Sequence, residues 1–321
     1  MSFASRVDNF TRRYPRTGYP LAVAYKFFDD QGGYLAALIT YYAFVSLFPA
    51  LLLFTTILGW VLRNNEGLRD RIVNSALDQI PVIGDQFADP AALSGGPAAI
   101  IIGLVGALYG GLGVAVASQN AMNIIWAVPR NSRPNPILVR IRGFVLLFTV
   151  GLSMIGLVAI GITSAAIDFG RISQLITDIG QVVLALAVFL FAFRYGTVRT
   201  LRIIDVLPGA AVAAVGWQLL QRFGGVYVER VITRASVVNS VFATVLGLIA
   251  FLYLAAALIV FCMEMNAVRT DKLYPRSLLT PFTDNVVLTE GDVRFYTNSA
   301  KAQRNKGFEV IDVSFDKTDP T

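Results

Sequence analysis

Glu264 lies in the stretch Cys262-Met263-Glu264-Met265-Asn266, at the end of a long apolar run. A carboxylate placed there either meets headgroup water and a basic partner, or is held away from water where it can couple proton movement or gating. Gln119 and Asn123 stand four residues apart in a second apolar run, and on a helix they share one face. Amides in that position line a polar cavity or bond to neighbouring helices. Tyr42 and Ser46 share a face in the first run, beside Pro49. Proline removes one helix hydrogen bond, and a nearby serine can help replace it. With the hydroxyls turned toward the amides, Tyr42, Ser46, Gln119, Asn123 and Glu264 make a candidate cavity or substrate path.

Other chemistry is excluded by what is missing. The chain has no histidine, so imidazole is not available as base, proton shuttle or zinc ligand. Its single cysteine, Cys262, rules out an intramolecular disulfide and any CxxC site. Intramembrane hydrolysis needs a nucleophile with its base, or two neighbouring acids. Ser46 has no evident base, and Glu264 has no acidic partner in its own span. The expectation is a protein that is not an enzyme, with no catalytic, cofactor or metal site and no cofactor.

The elements that must position these residues follow from composition. Of 321 residues, 55% are hydrophobic and 15% charged, with a mean hydropathy of +0.61. A soluble domain carries about 25% charged residues, so lipid is the expected solvent. Apolar runs at 33–62, 98–126, 143–167, 179–195, 203–220 and 237–263 each approach or exceed the roughly 20 residues a crossing needs. None alternates with period two, which argues against a β-barrel. The predicted fold is an all-α integral membrane protein, a bundle of six transmembrane helices with an amphipathic helix in the first outer loop. That helix is read from Leu68, Ile72, Ala76 and Ile80, which repeat every four residues up to Pro81.

The second run contains Gly103, Gly106, Gly110, Gly111 and Gly113, including a GxxxG pair that permits close helix approach within or between protomers. Glycine at that density also allows a helix to break around a substrate. The domain reading is an N-terminal arm over 1–32 with an interfacial helix at 21–28, a six-helix domain over 33–269, and a polar tail over 270–321. The tail has β-like stretches at 285–288 and 308–315. The first run begins after more than thirty polar or mixed residues, which suits a retained anchor better than a cleaved signal.

Loop charge sets the expected orientation. Fifteen Lys and Arg residues fall in the arm, the second and fourth connections and the segment after the last span; seven fall in the other connections. Both termini are therefore expected in the cytoplasm. Arg130, Arg133, Arg140 and Arg142, beside Pro134 and Pro136, suit either topology or anionic headgroups. Net charge of +6 has the same explanation and does not call for nucleic acid. The expected partners are membrane lipids and a lipid or amphipathic substrate, with homo-oligomer formation left open.

Four elements in order resemble the YihY/BrkB family of bacterial inner-membrane proteins. They are the run from Gly33 through Thr40-Tyr41-Tyr42 to Ser46-Leu47-Phe48-Pro49, then Ala121-Met122-Asn123-Ile124-Ile125-Trp126. Next come Leu207-Pro208-Gly209-Ala210 with Trp217 and Gln218, and finally Glu264-Met265-Asn266-Ala267. Ser240-Val241-Phe242-Ala243 departs from the Tyr-Gly-Ser usual in the family. The resemblance implies a six-span protein of the bacterial plasma membrane with cytoplasmic termini, linked to envelope integrity and to lipid or lipopolysaccharide-precursor export. Some members carry the label ribonuclease BN, which these residues do not support: RNA cleavage needs positioned acid and base groups or a metal cage. The reading is a transporter or lipid-handling protein of envelope biogenesis; the alternative is a non-transporting scaffold that binds envelope-biogenesis partners.

Overall fold

The structure is a computed structural model that describes residues 3–61, 67, 97–166, 171–227, 237–283 and 286–315. Among them, six helices are long and apolar enough to cross a membrane: Gly32–Phe54, Ile100–Ile125, Pro136–Ser153, Asp178–Tyr195, Ile203–Gly224 and Phe242–Thr270. The chain is an all-α multi-pass membrane protein. The expected amphipathic helix at 68–80 lies outside the described residues.

In chain order the helices are α1 (Phe3–Arg13), α2 (Tyr19–Asp29), α3 (Gly32–Val61), α4 (Pro97–Ile125), α5 (Pro136–Ala166), α6 (Arg171–Tyr195), α7 (Ile203–Tyr227), α8 (Val237–Thr270) and α9 (Glu290–Ala302). Consecutive spans α3 to α8 pack as neighbours, and α8 closes the ring by returning to α3 and α4. α2 lies across the end of α8. The third spanning helix starts earlier than its apolar run, at Pro136, and includes Arg140 and Arg142 in its first turns. Arg142 explains its own place: its guanidinium donates to the carbonyls of Tyr195 and Thr197, tying α5 to the end of α6.

Outward-facing Ile101, Phe148, Ile155 and Phe223 are exposed, as side chains meeting hydrocarbon must be. Among the described residues, a buried core sits in the half of the bundle nearest the chain termini. It joins Ala36, Ile39, Ala117, Ala121, Met122, Phe193, Val206, Ala210, Ala213, Ala256, Val260 and Met263. Alanines dominate because helices in lipid gain by close backbone packing, with no water to drive larger side chains together.

The glycines of α4 do not break it; the helix is continuous from Pro97 to Ile125. They admit α3. A Cβ on Gly110 would stand 2.4 Å from Ser46 Cβ and 2.6 Å from Ser46 Cα, and one on Gly106 would stand 2.7 Å from Pro49 Cβ. The GxxxG pair thus serves contact within the chain. Gly110→Ala should cost about 1–3 kcal/mol by forcing α3 away, because a backbone atom cannot rotate aside. Gly151, where an added Cβ meets nothing within 4 Å, supplies the control: Gly151→Ala should leave the melting temperature unchanged or slightly raised. Thermal unfolding in detergent separates the two.

Proline in α7 is answered from α8. Pro208 has no N–H to give Ile204 O, and Arg269 Nη1 donates to that carbonyl at 2.9 Å. One residue on, Asn266 Oδ1 accepts the Gly209 N–H at 2.8 Å while its Nδ2 donates to Val206 O at 3.1 Å. A Cβ on Gly209 would lie 2.2 Å from Cys262 O, so only glycine permits this approach.

The tail departs from expectation. No strand forms over 286–288 or 308–315, since an alternating segment without a neighbouring strand has no ladder to join. Instead α9 begins with a capping box: Thr289 Oγ1 accepts the Asp292 N–H at 3.1 Å, and the Asp292 carboxylate accepts the Thr289 N–H at 3.0 Å. Arg276 bonds Asp292 at 2.5 Å and Asp29 at 3.1 Å, docking the tail on α2. From the other side, Asp8 of α1 accepts from Leu278 N and Ser277 Oγ at 2.8 and 3.1 Å.

Candidate functional site

α2 is amphipathic, with Ala22, Val23 and Lys26 on its buried side. A lysine three and four residues from buried apolar positions points into the protein. Its ammonium enters a gap between the ends of α4 and α8. There Nζ donates to Ile125 O at 2.8 Å and to Asp30 Oδ2, and stands 2.9 Å from Glu264 Oε2. Three oxygens thus surround a group with three protons.

Glu264 is fully buried, and the Asp30 side chain is nearly so. Neither Glu264 oxygen takes a well-directed hydrogen bond among the described residues, so Lys26 holds it by charge and proximity. Burial alone pushes the Lys26 pKa down; the two carboxylates more than reverse this, and the net direction is upward. Lys26 therefore stays an ammonium at neutral pH. If all three groups are ionised, the cluster carries one uncompensated negative charge in a dry setting, an expensive arrangement for stability alone.

Tyr19 fastens the same helix to α8, donating from Oη to Met265 O at 2.8 Å. Burial, set against Arg269, pushes its hydroxyl up to about 12, so it remains a donor. Beyond Glu264, Arg199 forms a bidentate pair with Asp271 at 2.8 and 2.6 Å and lies over the Trp126 ring at 5.0 Å.

Of the five residues expected to share a path, Tyr42 and Ser46 lie in one seam and the other three each contact a different segment. Tyr42 and Ser46 lie between α3 and α4: the Tyr42 ring covers Gly113, and Ser46 Oγ donates to Ala43 O at 2.9 Å within its own helix. The Ser46 hydroxyl is thus turned to its own helix and not to the amides. Gln119 donates to Val139 O on α5 at 3.0 Å. Asn123 Oδ1 accepts from Thr197 Oγ1 at 3.1 Å and Val198 N at 3.2 Å, holding the connector after α6. Only Glu264 joins a charge cluster. Its partners Lys26 and Asp30 come from the arm; the lysine on the apolar side of α2 was the signal in the sequence.

The family model for virulence factor BrkB matches residues 23–283. The chain belongs to the BrkB family. The match takes in Lys26, Asp30 and Glu264, with the Asn266–Gly209 contact, and leaves α1 and α9 outside. An uncharacterized protein of Dickeya dadantii (strain 3937) is 25% identical over 290 residues, covering 81% of this BrkB chain and 86% of the relative. No solved structure matches.

Proposed function

We propose that this BrkB-family protein is a non-enzymatic transporter or lipid-handling protein of the bacterial plasma membrane, acting in envelope biogenesis with both termini in the cytoplasm. One observation carries the reading: a buried carboxylate at the end of a spanning helix, Glu264, held by a lysine from the separate helix α2 and lacking directed hydrogen bonds among the described residues. Ionisable groups at such depth mark substrate or ion pathways more often than they serve stability. In this reading α2 and α8 part at Lys26 and Glu264 to admit an amphipathic substrate along the side of α3, α4 and α8. Tyr42 and Ser46 flank that side, while Gln119 and Asn123 hold α4 to its other neighbours.

The test is translocation of a headgroup-labelled phospholipid in reconstituted vesicles, with protein content matched. Native protein should exceed protein-free vesicles, and Glu264→Gln should reduce the excess about tenfold or more, the scale of one charge-assisted contact. Native flux equal to protein-free vesicles would sink the proposal.

A second reading, a scaffold for envelope-biogenesis partners, draws on the irregular segment after α9, where Phe308 is 86% and Val310 82% exposed. Crosslinks from that segment to another protein, together with background flux, would favour it.

A further inference from the structure

A cavity of about 400 Å³ opens on the terminal side of the bundle, apart from the Lys26 cluster. It is bounded by Trp126 and Ala127 after α4, Arg199 in the connector after α6, Asp271 after α8, and Arg294, Asn298 and Lys301 of α9. The α9 residues follow the spacing of one helix face. Its buried side is Gly291, Asp292, Phe295 and Ala302. The stripe turned to the cavity therefore offers two cations and one amide, with no carboxylate.

Each cation is held differently. Arg199 is fixed by both Asp271 oxygens and by the Trp126 ring. Arg294 donates to Lys272 O at 3.1 Å and pairs with Glu290 at 2.8 Å, but Glu290 is 83% exposed and that pair is weak. Lys301 has no ion-pair partner among the described residues. The wall thus has three cations against one carboxylate, and both oxygens of that carboxylate are engaged by Arg199.

Capping of helix ends accounts for part of this. α4 and α8 both finish in left-handed turns, at Ala127 (φ 49°) and Lys272 (φ 53°). Val128 N donates to Asn123 O at 2.8 Å and Leu273 N to Val268 O at 3.0 Å. Arg294 on Lys272 O extends that pattern. Lys301 and Asn298 bond neither of these helix ends; Lys301 suits the last turn of α9 as a cation, and Asn298 has no capping role there.

We propose that this cavity binds a phosphate-bearing anion, with Lys301, Arg294 and Asn298 as donors and Arg199 as a fixed charge. Its volume suits a small ligand, and Asp271 favours one with a hydroxyl or amine beside the phosphate. A lipid headgroup and a soluble phosphate ester both present that chemistry. Binding here does not require transport, so it succeeds or fails apart from the flux proposal.

Two arms of one experiment use the full-length protein. In detergent at constant ionic strength, calorimetry measures binding of sn-glycerol 3-phosphate, with chloride as control. In parallel, phosphatidylglycerol retained per protein is counted after washing from mixed phosphatidylglycerol and phosphatidylcholine. Native protein should bind saturably in at least one arm, which names the source. Lys301→Gln and Arg294→Gln should each weaken that binding about tenfold or more. Lys301→Gln should do so with an unchanged melting temperature. No saturable binding in either arm, or equal binding by native protein and both variants, would overturn the site.

Discussion

Lys26→Met should destabilise the protein by about 3–5 kcal/mol, the usual cost of removing one partner from a buried ion pair. The substitution keeps most of the side-chain volume but leaves Glu264 and Asp30 in a closed gap without their cation, and Ile125 O without its donor. Glu264→Gln should cost less, because Lys26 keeps Asp30 and the Ile125 carbonyl. In the double variant Lys26→Met/Glu264→Gln, the loss should be smaller than the sum of the two single losses, since no unpaired Glu264 charge remains. Additive losses would show that the two residues are uncoupled. Thermal unfolding of the four proteins in one detergent gives the cycle.

The pH dependence of that cycle has a defined sign. The Lys26 pKa is raised in the folded protein, so its contribution is complete below the ordinary ammonium value, about 10.4, and declines as pH rises past it toward the folded value. Between pH 6 and 9 the stability difference between native protein and Lys26→Met should not drift on account of Lys26. A difference shrinking as pH rises through that window would mean that the lysine loses its proton in the folded state, contrary to its placement between two carboxylates.

The six spans were legible because lipid leaves the backbone no other choice: a run of about 20 apolar residues must form a helix or stay out of the bilayer. The helix expected at 21–28 forms and runs from Tyr19 to Asp29. The tail was read less well. Alternation at 308–315 suggested a strand, but alternation alone does not supply a partner. The signal for α9 was present three residues apart in Thr289 and Asp292, with Glu290 adding an acidic first turn.

At the candidate site, spacing rules singled out Glu264, since a carboxylate closing an apolar run stands out in any reading. They did not find Lys26, because the pairing joins residues at opposite ends of the chain and periodicity reports only on one helix at a time. Gln119 and Asn123 show the complementary limit. Their shared face was read correctly, yet each bonds a backbone carbonyl, amide or hydroxyl on a different neighbouring segment. Periodicity does not say which neighbour a face will meet. The same applies to Asn266, whose place became readable only once α8 lay beside Pro208 and Gly209.

Arg276→Met should release α9 while leaving the spans folded. The guanidinium is buried, bonds Asp292 on α9 and Asp29 on α2, and lies 4.4 Å from the Phe295 ring centre. Its loss leaves Asp292 with Ser277 N, Thr289 N and Thr289 Oγ1 as donors but with no cation. A local cost of about 3–5 kcal/mol is expected. Amide exchange across 290–302 should quicken by roughly two orders of magnitude or more, at 1.4 kcal/mol per tenfold. Arg276→Lys should not restore protection, because it puts a single nitrogen in place of the separate Nε and Nη1 donors that bond Asp292 and Asp29. Exchange in α9 unchanged from native would show that the apolar contacts of Phe295 hold the helix without the ion pair. The result also bears on the membrane site, because Asp29 and Asp30 are consecutive: one takes Arg276 from the tail and the other takes Lys26. A tail that lets go at Arg276 removes one of the two fixings of that turn. The Lys26 cluster should then become easier to open, and the phosphate site should lose the helix that carries three of its donors.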